Sequence, residues 1–469
     1  MHFAVSRLAA FFVTACCAFA DDRFPVDWTK VNAELLEHYT ALLRIDTSNP
    51  PGNETKAVTY LKGVLDRAGI SNQVFALDPE RANLVARLKG NGSKRPIIVM
   101  GHTDVVGVQR EKWSVDPFAA LRKDGYIYAR GAMDDKDNLS TALMLMLLLK
   151  RMNVPLDRDV IYVAEAGEEG TSRVGIEFLV SQHWEAIDAE YALAEGGGGS
   201  SRDGKPRYVS VSTTEKVPRS TTLVSHGVAG HGSIPRLDNA VIRLANAVAK
   251  IGAWQPPMRL NDTTRAYFER LATISTPEER DRYNNLTNPA RSADVQKYFA
   301  ERELRNYSML RTSVVPTIIK AGFRSNVIPS EAEATLDVRA LPDEDMEKLY
   351  AEMRRVINDP NVEVKSTRAG GRPPGQPSRL DSEMFRVLEA ATKSTYPGAI
   401  TLPEMLTGAT DMAQLRAKGV QSYGIGPMIA EKDRDIGGAH TDDERLQESA
   451  LYKFMEFLWN AVTGIAATK

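Results

Sequence analysis

Ile97-Ile-Val-Met-Gly-His-Thr-Asp104 is a short, wholly apolar run that stops abruptly at a glycine, a histidine and an aspartate. Four consecutive apolar residues bounded by turn-forming sequence have the length and character of a buried strand rather than of a helix. Upstream, Asn83-Leu-Val-Ala-Arg-Leu88 is a second such strand, and the turn-rich segment 90–95 between the two suggests that they are neighbours in one sheet. Downstream, Leu143, Leu145, Leu147 and Leu148 mark a helix over 140–150, followed by the strand Val160-Ile-Tyr-Val-Ala164. Apolar residues at helical spacing between Trp28 and Gly69 give two further amphipathic helices. Strands alternating with helices in this way imply an α/β fold, a mixed sheet sandwiched by helices.

The rest of the chain organises around that sheet. At 469 residues and 43% hydrophobic content the chain is long enough for two or three domains. The pattern changes near residue 213. Strands at 220–224, 332–339 and 362–366 and helices at 240–251 and 343–358, with a polar stretch over 254–311, read as an inserted α+β domain. The linker Ala369-Gly-Gly-Arg-Pro-Pro-Gly-Gln-Pro377 closes it. A helix over 382–394 and a strand over 422–425 then return to the first pattern. The expected boundaries are 1–20 for a leader, 21–213 and 371–469 for the first domain, and 214–370 for the insertion.

Lysine plus arginine (59) nearly balances aspartate plus glutamate (61), so no overall field draws nucleic acid to the chain, and no nucleic-acid partner is expected. The first twenty residues, with Arg7, an apolar stretch over 8–19 and the small-x-small end Ala18-Phe-Ala20, have the layout of a signal peptide cleaved after Ala20. That apolar stretch is too short for a permanent span, so the mature chain is expected to lack a transmembrane helix and to be periplasmic or secreted. Val13-Thr-Ala-Cys16 offers the alternative of a lipoprotein anchored at Cys16. Both cysteines, Cys16 and Cys17, lie here, so any metal bound by the body rests on imidazole and carboxylate.

Such groups occur where strands end. His102 and Asp104 alternate on an extended segment, so the aspartate can hold the ring that binds a metal, although a lone His-x-Asp is more often a surface hydrogen bond. Asp134, just before the helix, can bridge two cations or merely cap the helix. Glu168 and Glu169 follow the strand ending at Ala164. Neighbouring carboxylates that point in different directions suit one metal ligand and one proton carrier, whereas the bland alternative is a solvated acidic turn. Glu195 ends the apolar run Tyr191-Ala-Leu-Ala194, and His440 sits in Gly437-Gly-Ala-His440-Thr-Asp442, in a glycine-containing loop as His102 is, in a chain with only seven histidines. Two histidines and three carboxylates, one of them shared, suffice for two ions at the ends of several strands, where an open α/β sheet places its site.

In order, the motifs G-H-x-D-V-V at 101–106, W-x-x-D-P-F at 113–118, Y-A-R-G-A-x-D-D-K at 128–136, G-E-E-G at 167–170, the acid at 195 and G-G-A-H at 437–440 closely resemble those of the M20 metallopeptidase family. The resemblance spans nearly all of the exported chain. It implies a zinc-exopeptidase-like sheet with an inserted lid and dimerisation domain, and two divalent ions, zinc first, with cobalt or manganese as alternatives. It puts His102 and Glu195 on one ion, Glu169 and His440 on the other, and Asp134 between them, followed by a cis peptide to Asp135. Asp104 would orient His102, Glu168 would be the general base, and His231 would steady the oxyanion. Asn326, Arg339 and the backbone at Gly408 would hold a substrate carboxylate. Asp137 stands where glycine is common, a departure from which no consequence is read.

The activity so implied is hydrolysis of an amide bond next to a free carboxylate in peptides, as a carboxypeptidase or dipeptidase. The alternatives are an aminoacylase acting on N-acyl amino acids and, from another class, an exported binding protein of the same fold without turnover. The expected partners are a small peptide or N-acyl amino acid and, through the lid, a second copy of the chain, unless the segment 254–311 supplies what that copy would.

Overall fold

The apolar run continues through its histidine as the strand Ile97–His102, buried throughout, near the middle of a ten-stranded mixed sheet. The computed structural model describes residues 24–366, 372–433 and 436–468. The leader and lipobox readings, both cysteines, and the boundary at 370 and 371 fall outside these residues. From one edge the strands run Asn72–Ala76, Ala82–Leu88, Val160–Glu165, Ile97–His102, Tyr191–Ala194 and Gln421–Gly424, then Lys205–Glu215, which also pairs with Ile400–Leu406. Ala82–Leu88 and Ile97–His102 are therefore not neighbours, contrary to the expectation from the short turn between them. Val160–Glu165 lies between, antiparallel to the first and parallel to the second. The reason is the crossover through the helix Lys136–Arg151, which returns the chain in parallel and claims the edge that a hairpin would have used.

Alternation along the strands loads both faces of this sheet. Ile97 and Val99 join Val160, Tyr162 and Ala164 in the core beneath Lys136–Arg151 and the C-terminal helix Glu448–Ala466, while Ile98, Met100, Ile161 and Val163 pack against Ile176, Leu179 and Leu415 on the other side. With both faces of the central strands covered, their ends stay open. Register puts His102 opposite Glu165, and Ala194 opposite Gly424, so the polar ends of four parallel strands lie side by side. No helix among the described residues is long and apolar enough to cross a membrane.

Residues 217–366 build a second, four-stranded antiparallel sheet in the order Ser313–Ala321, Glu331–Ala340, Val217–His226, Val362–Ser366. One face carries the helices Ala240–Ala253 and Met346–Ile357, whose Leu244, Ile251, Met353 and Ile357 meet Leu223 and Leu336 in a core of their own. Asn239 and Asp345 cap these helices through their side chains, each accepting from a main-chain N–H of the first turn.

The polar stretch read over 254–311 is folded. It forms the helices Asp262–Thr273, Pro277–Asn284, Ser292–Arg302 and Leu304–Met309. Their core of Phe268, Leu271, Phe299 and Met309 is completed by Leu402 and Met405 of the large sheet rather than by the small one. Phe299, fully buried and stacked on Phe268 with centroids 5.8 Å apart, is the centre of that contact. Replacing Phe299 with alanine is expected to cost about 3–5 kcal/mol, read as a lower chemical-denaturation midpoint; an unchanged midpoint would contradict this packing.

Candidate metal centre

His102 ends its strand 1% exposed, and its ring is fixed from both sides. Nδ1 lies 2.9 Å from the Asp104 carbonyl oxygen and 3.5 Å from the Asp104 carboxylate, while Nε2 lies 2.9 Å from Asp134 Oδ1. The closer restraint on the ring is thus the main chain of residue 104. The Asp104 carboxylate serves chiefly elsewhere: it accepts from the amides of Glu168 and Glu169, both at 3.1 Å, and from the Asn49 side chain at 2.8 Å. One buried aspartate therefore fixes the position of both loop glutamates.

Asp134 has a histidine on each oxygen, His102 on Oδ1 and His440 on Oδ2 at 3.0 Å. His440 Nε2 also lies 2.9 Å from Glu169 Oε1. Two sets of donor atoms result, His102 with Asp134 and Glu195, and Asp134 with Glu169 and His440, each set within 4.8 Å. That spread, and a ligand set of imidazole and carboxylate only, suit ions bound at about 2.0–2.2 Å. Asp134 belongs to both sets, as a bridging ligand must. It is not the helix cap. The cap position of Lys136–Arg151 is Asp135, which makes no capping bond. The Asp134–Asp135 peptide is cis, as expected.

The surroundings hold this geometry. Asp135 accepts from the His102 main-chain N–H at 3.2 Å and from the Asn138 side chain at 2.6 Å. Gly101 lets the helix approach so closely, since a Cβ there would lie 2.9 Å from both Asp135 Oδ2 and the Leu139 nitrogen. Buried Glu444 accepts from Arg130 and from the amides of Gly131 and Met133, fixing the turn that presents Asp134.

The electrostatics are those of too many acids in too little water. Burial pushes Glu195 well above the carboxylate range, with Glu168 and Asp134 adding to the rise. Burial also raises Glu168 to about 8, against the opposing charge of Arg372. Asp134 is held low despite its burial because His102 and His440 face it, and His440, bonded to Asp134 and Glu169, rises to about 10. Cations at these positions would replace the imidazole protons and ionise the raised acids.

His102, Asp104, Asp134, Glu168, Glu169, Glu195 and His440 are thus brought to one end of the large sheet. His231, Asn326 and Arg339 lie on the smaller unit. Among the described residues, none of these three has a hydrogen bond or ion pair with the centre. His231 Nδ1 meets Ser233 at 2.7 Å, Gly232 N–H donates to the Asn326 carbonyl, and Arg339 pairs with Asp337. Gly408 follows the strand Ile400–Leu406 and precedes Thr410 and Asp411, which line a small pocket with His102 and Glu195.

Two arginines at the site escaped the sequence reading. Arg372, inside the Gly/Pro linker, donates to the Glu168 carboxylate and to Asp411 at 3.3 Å. Arg305, from the helices over 262–309, lines the cavity beside Asp134 and Glu195. A lone arginine among glycines and prolines was the available signal for the first; nothing in the sequence marked the second.

Metal analysis checks the shared ligand. Two divalent ions per chain are expected, falling to about one in His440→Ala and below one in Asp134→Ala; equal content in all three proteins would contradict a bridging Asp134.

A family model for peptidase family M20/M25/M40 matches residues 98–463. The chain is 28% identical over 373 residues to N-fatty-acyl-amino acid synthase/hydrolase PM20D1 of Xenopus tropicalis, covering 77% of this chain and 71% of that protein. It is 28% identical over 393 residues to probable carboxypeptidase S-like 2 of Dictyostelium discoideum, covering 81% and 74%. Among solved structures it is similar to the M20 family metallo-carboxypeptidase Sso-CP2 of Sulfolobus solfataricus, with a TM-score of 0.70, 19% identity and coverage of 92% and 98%.

Proposed function

Because the chain belongs to peptidase family M20/M25/M40, we propose that its centre hydrolyses the amide bond next to a free carboxylate in small peptides. The observation that carries this reading is Asp134, placed between two histidines and common to two ligand sets, with Glu168 beside the ligand Glu169. His102 and Glu195 would hold one ion, Glu169 and His440 the other, and Asp134 both. Zinc suits this donor set, and cobalt or manganese could take its place. When bound, the ions supply an acidified water and polarise the scissile carbonyl.

The chain's own residues do the rest. Glu168, held by the Asp104 contact to its amide and raised by burial, takes the proton of the attacking water and delivers it to the departing amine. Asp104 keeps the His102 ring and the glutamate loop in place. His231 steadies the oxyanion, while Arg339 grips the substrate carboxylate with a two-pronged bond, assisted by Asn326 and the backbone at Gly408. His231, Asn326 and Arg339 sit on the smaller unit, so substrate binding includes closure of a lid over residues 214–370 onto the catalytic parts, 21–213 and 371–469. Export through the leader at 1–20 and a homodimer through the lid belong to the same proposal. In support of the dimer, Val315 and Ile319 of the edge strand Ser313–Ala321 are 50% and 59% exposed.

Glu168→Gln is expected to lower turnover by about 10²–10⁴-fold while retaining both ions; unchanged turnover would remove Glu168 from its role. With dipeptides and N-acyl amino acids offered as free acids and as amides, release from the free acids alone is expected, and Arg339→Ala should raise KM. Equal cleavage of the amides would contradict the carboxylate pocket. Release from the N-acyl amino acids alone would favour the aminoacylase reading, to which the PM20D1 relative lends support.

A further inference from the structure

Asp137 lies in the first turn of Lys136–Arg151, fully buried; no side chain bonds to either carboxylate oxygen, and only the first-turn amides of Asp137 and Asn138 face it. It lines a cavity of about 250 Å³ that has Asp134 and Glu195 at the metal centre, a wall of Gly196 to Gly199, and Arg305 among its other lining residues. A buried carboxylate without a side-chain donor is costly, and native structures rarely keep one unless something else completes it.

The neighbouring cations are committed elsewhere. Lys136 Nζ donates to the carbonyls of Leu42 and Ile45 at 3.0 and 2.7 Å, Arg130 pairs with Glu444, and Arg305 pairs with Glu404. Asn138, the adjacent polar residue of the cavity, donates its side-chain N–H to Asp135. Asp137 belongs to neither metal-ligand set. The positive end of the helix and its first-turn amides favour a negative charge there, but they bring no cation to balance it.

The cavity itself indicates which part of the substrate it receives. Given the function proposed above, on which this inference rests, the carboxylate of the departing residue goes to the lid. Of the cavity's lining residues only Arg305 comes from residues 217–366, so the cavity takes the other side of the scissile bond. At about 250 Å³ it is just below the usual range for small-molecule sites, roughly 300–1,000 Å³. A long hydrocarbon chain would leave Asp137 buried against apolar atoms.

We propose that Asp137 receives a protonated amine on the acyl side of the scissile amide, so that this chain selects small amine-bearing peptides over fatty-acyl amino acids. The amine is either the α-amine of an amino-terminal residue or the side-chain ammonium of a basic one. Asp137 is then a specificity-determining residue, at a position where the family resemblance gives glycine.

The test uses the zinc-loaded enzyme and three substrates that all release alanine: Gly-Ala, Nα-acetyl-Lys-Ala and Nα-acetyl-Gly-Ala. In the wild type kcat/KM for an amine-bearing substrate should exceed that for Nα-acetyl-Gly-Ala by about tenfold or more, one charge-assisted hydrogen bond. Preference for Gly-Ala assigns the α-amine, and preference for Nα-acetyl-Lys-Ala assigns the side chain. Asp137→Asn should bring the ratio close to one while leaving Nα-acetyl-Gly-Ala within about threefold of the wild-type value. No preference in the wild type, or an equal fall for all three substrates in a variant that still turns over, overturns the proposal. If the variant turns over none of them, the same ratio is read from calorimetric affinities in Glu168→Gln with and without Asp137→Asn. A ratio unaltered by Asp137→Asn overturns the proposal. A wild type that cleaves none of the three overturns the peptide-hydrolase reading, and this one with it.

Discussion

Burying Asp134, Glu168, Glu169 and Glu195 at one end of a sheet is tolerable only if positive charge is brought to them. Much of the surrounding structure serves that requirement. Two histidines reach Asp134 from opposite ends of the chain, and Arg372 reaches Glu168 from the linker. The segment that carries His440 also carries Glu444, which fixes the turn presenting Asp134, so one stretch contributes a member of one donor set and the support of the residue common to both. Asp104 makes the third tie. By accepting from two successive amides it prevents the glutamate loop from relaxing outward, where its charges would be better solvated.

The passage between the two sheets is equally constrained. Glu215 ends a strand of the large sheet and Val217 begins one of the small sheet, so Lys216 alone spans the junction. It is fully buried, its ammonium bonded to the hydroxyls of Ser308 and Ser313, and burial together with the charges of Arg339 and Arg311 lowers it to about 7. At the other crossing, Arg219 of the small sheet donates to the Arg372 carbonyl while the Arg372 side chain meets Glu168. Arg372 therefore links the smaller unit to Glu168 directly.

The large sheet was legible because its strands are short apolar runs that end in chemistry. Ile97–Met100, Val160–Ala164 and Tyr191–Ala194 each stop at a residue now found at the centre or beside it. Strand order was less legible, since a short turn reads as a hairpin while the parallel partner, Val160–Glu165, arrives only after a helix. The helices over 262–309 were passed over because their composition is polar, yet local signals stood in the sequence. Thr276-Pro-Glu-Glu279 is a capping box with proline in the first turn, and Asn261 and Thr264 form another. Arg305 and Asp137 illustrate the remaining limit. Their meaning lies in what they face across the fold, and the spacing of residues along a chain does not encode that.

The most direct measurement of the shared centre is anomalous diffraction at the zinc edge from crystals of the loaded protein. Two peaks about 3.5–4 Å apart are expected, one beside His102 and Glu195, the other beside Glu169 and His440, with Asp134 touching both. A single peak, or two peaks without Asp134 between them, would contradict it.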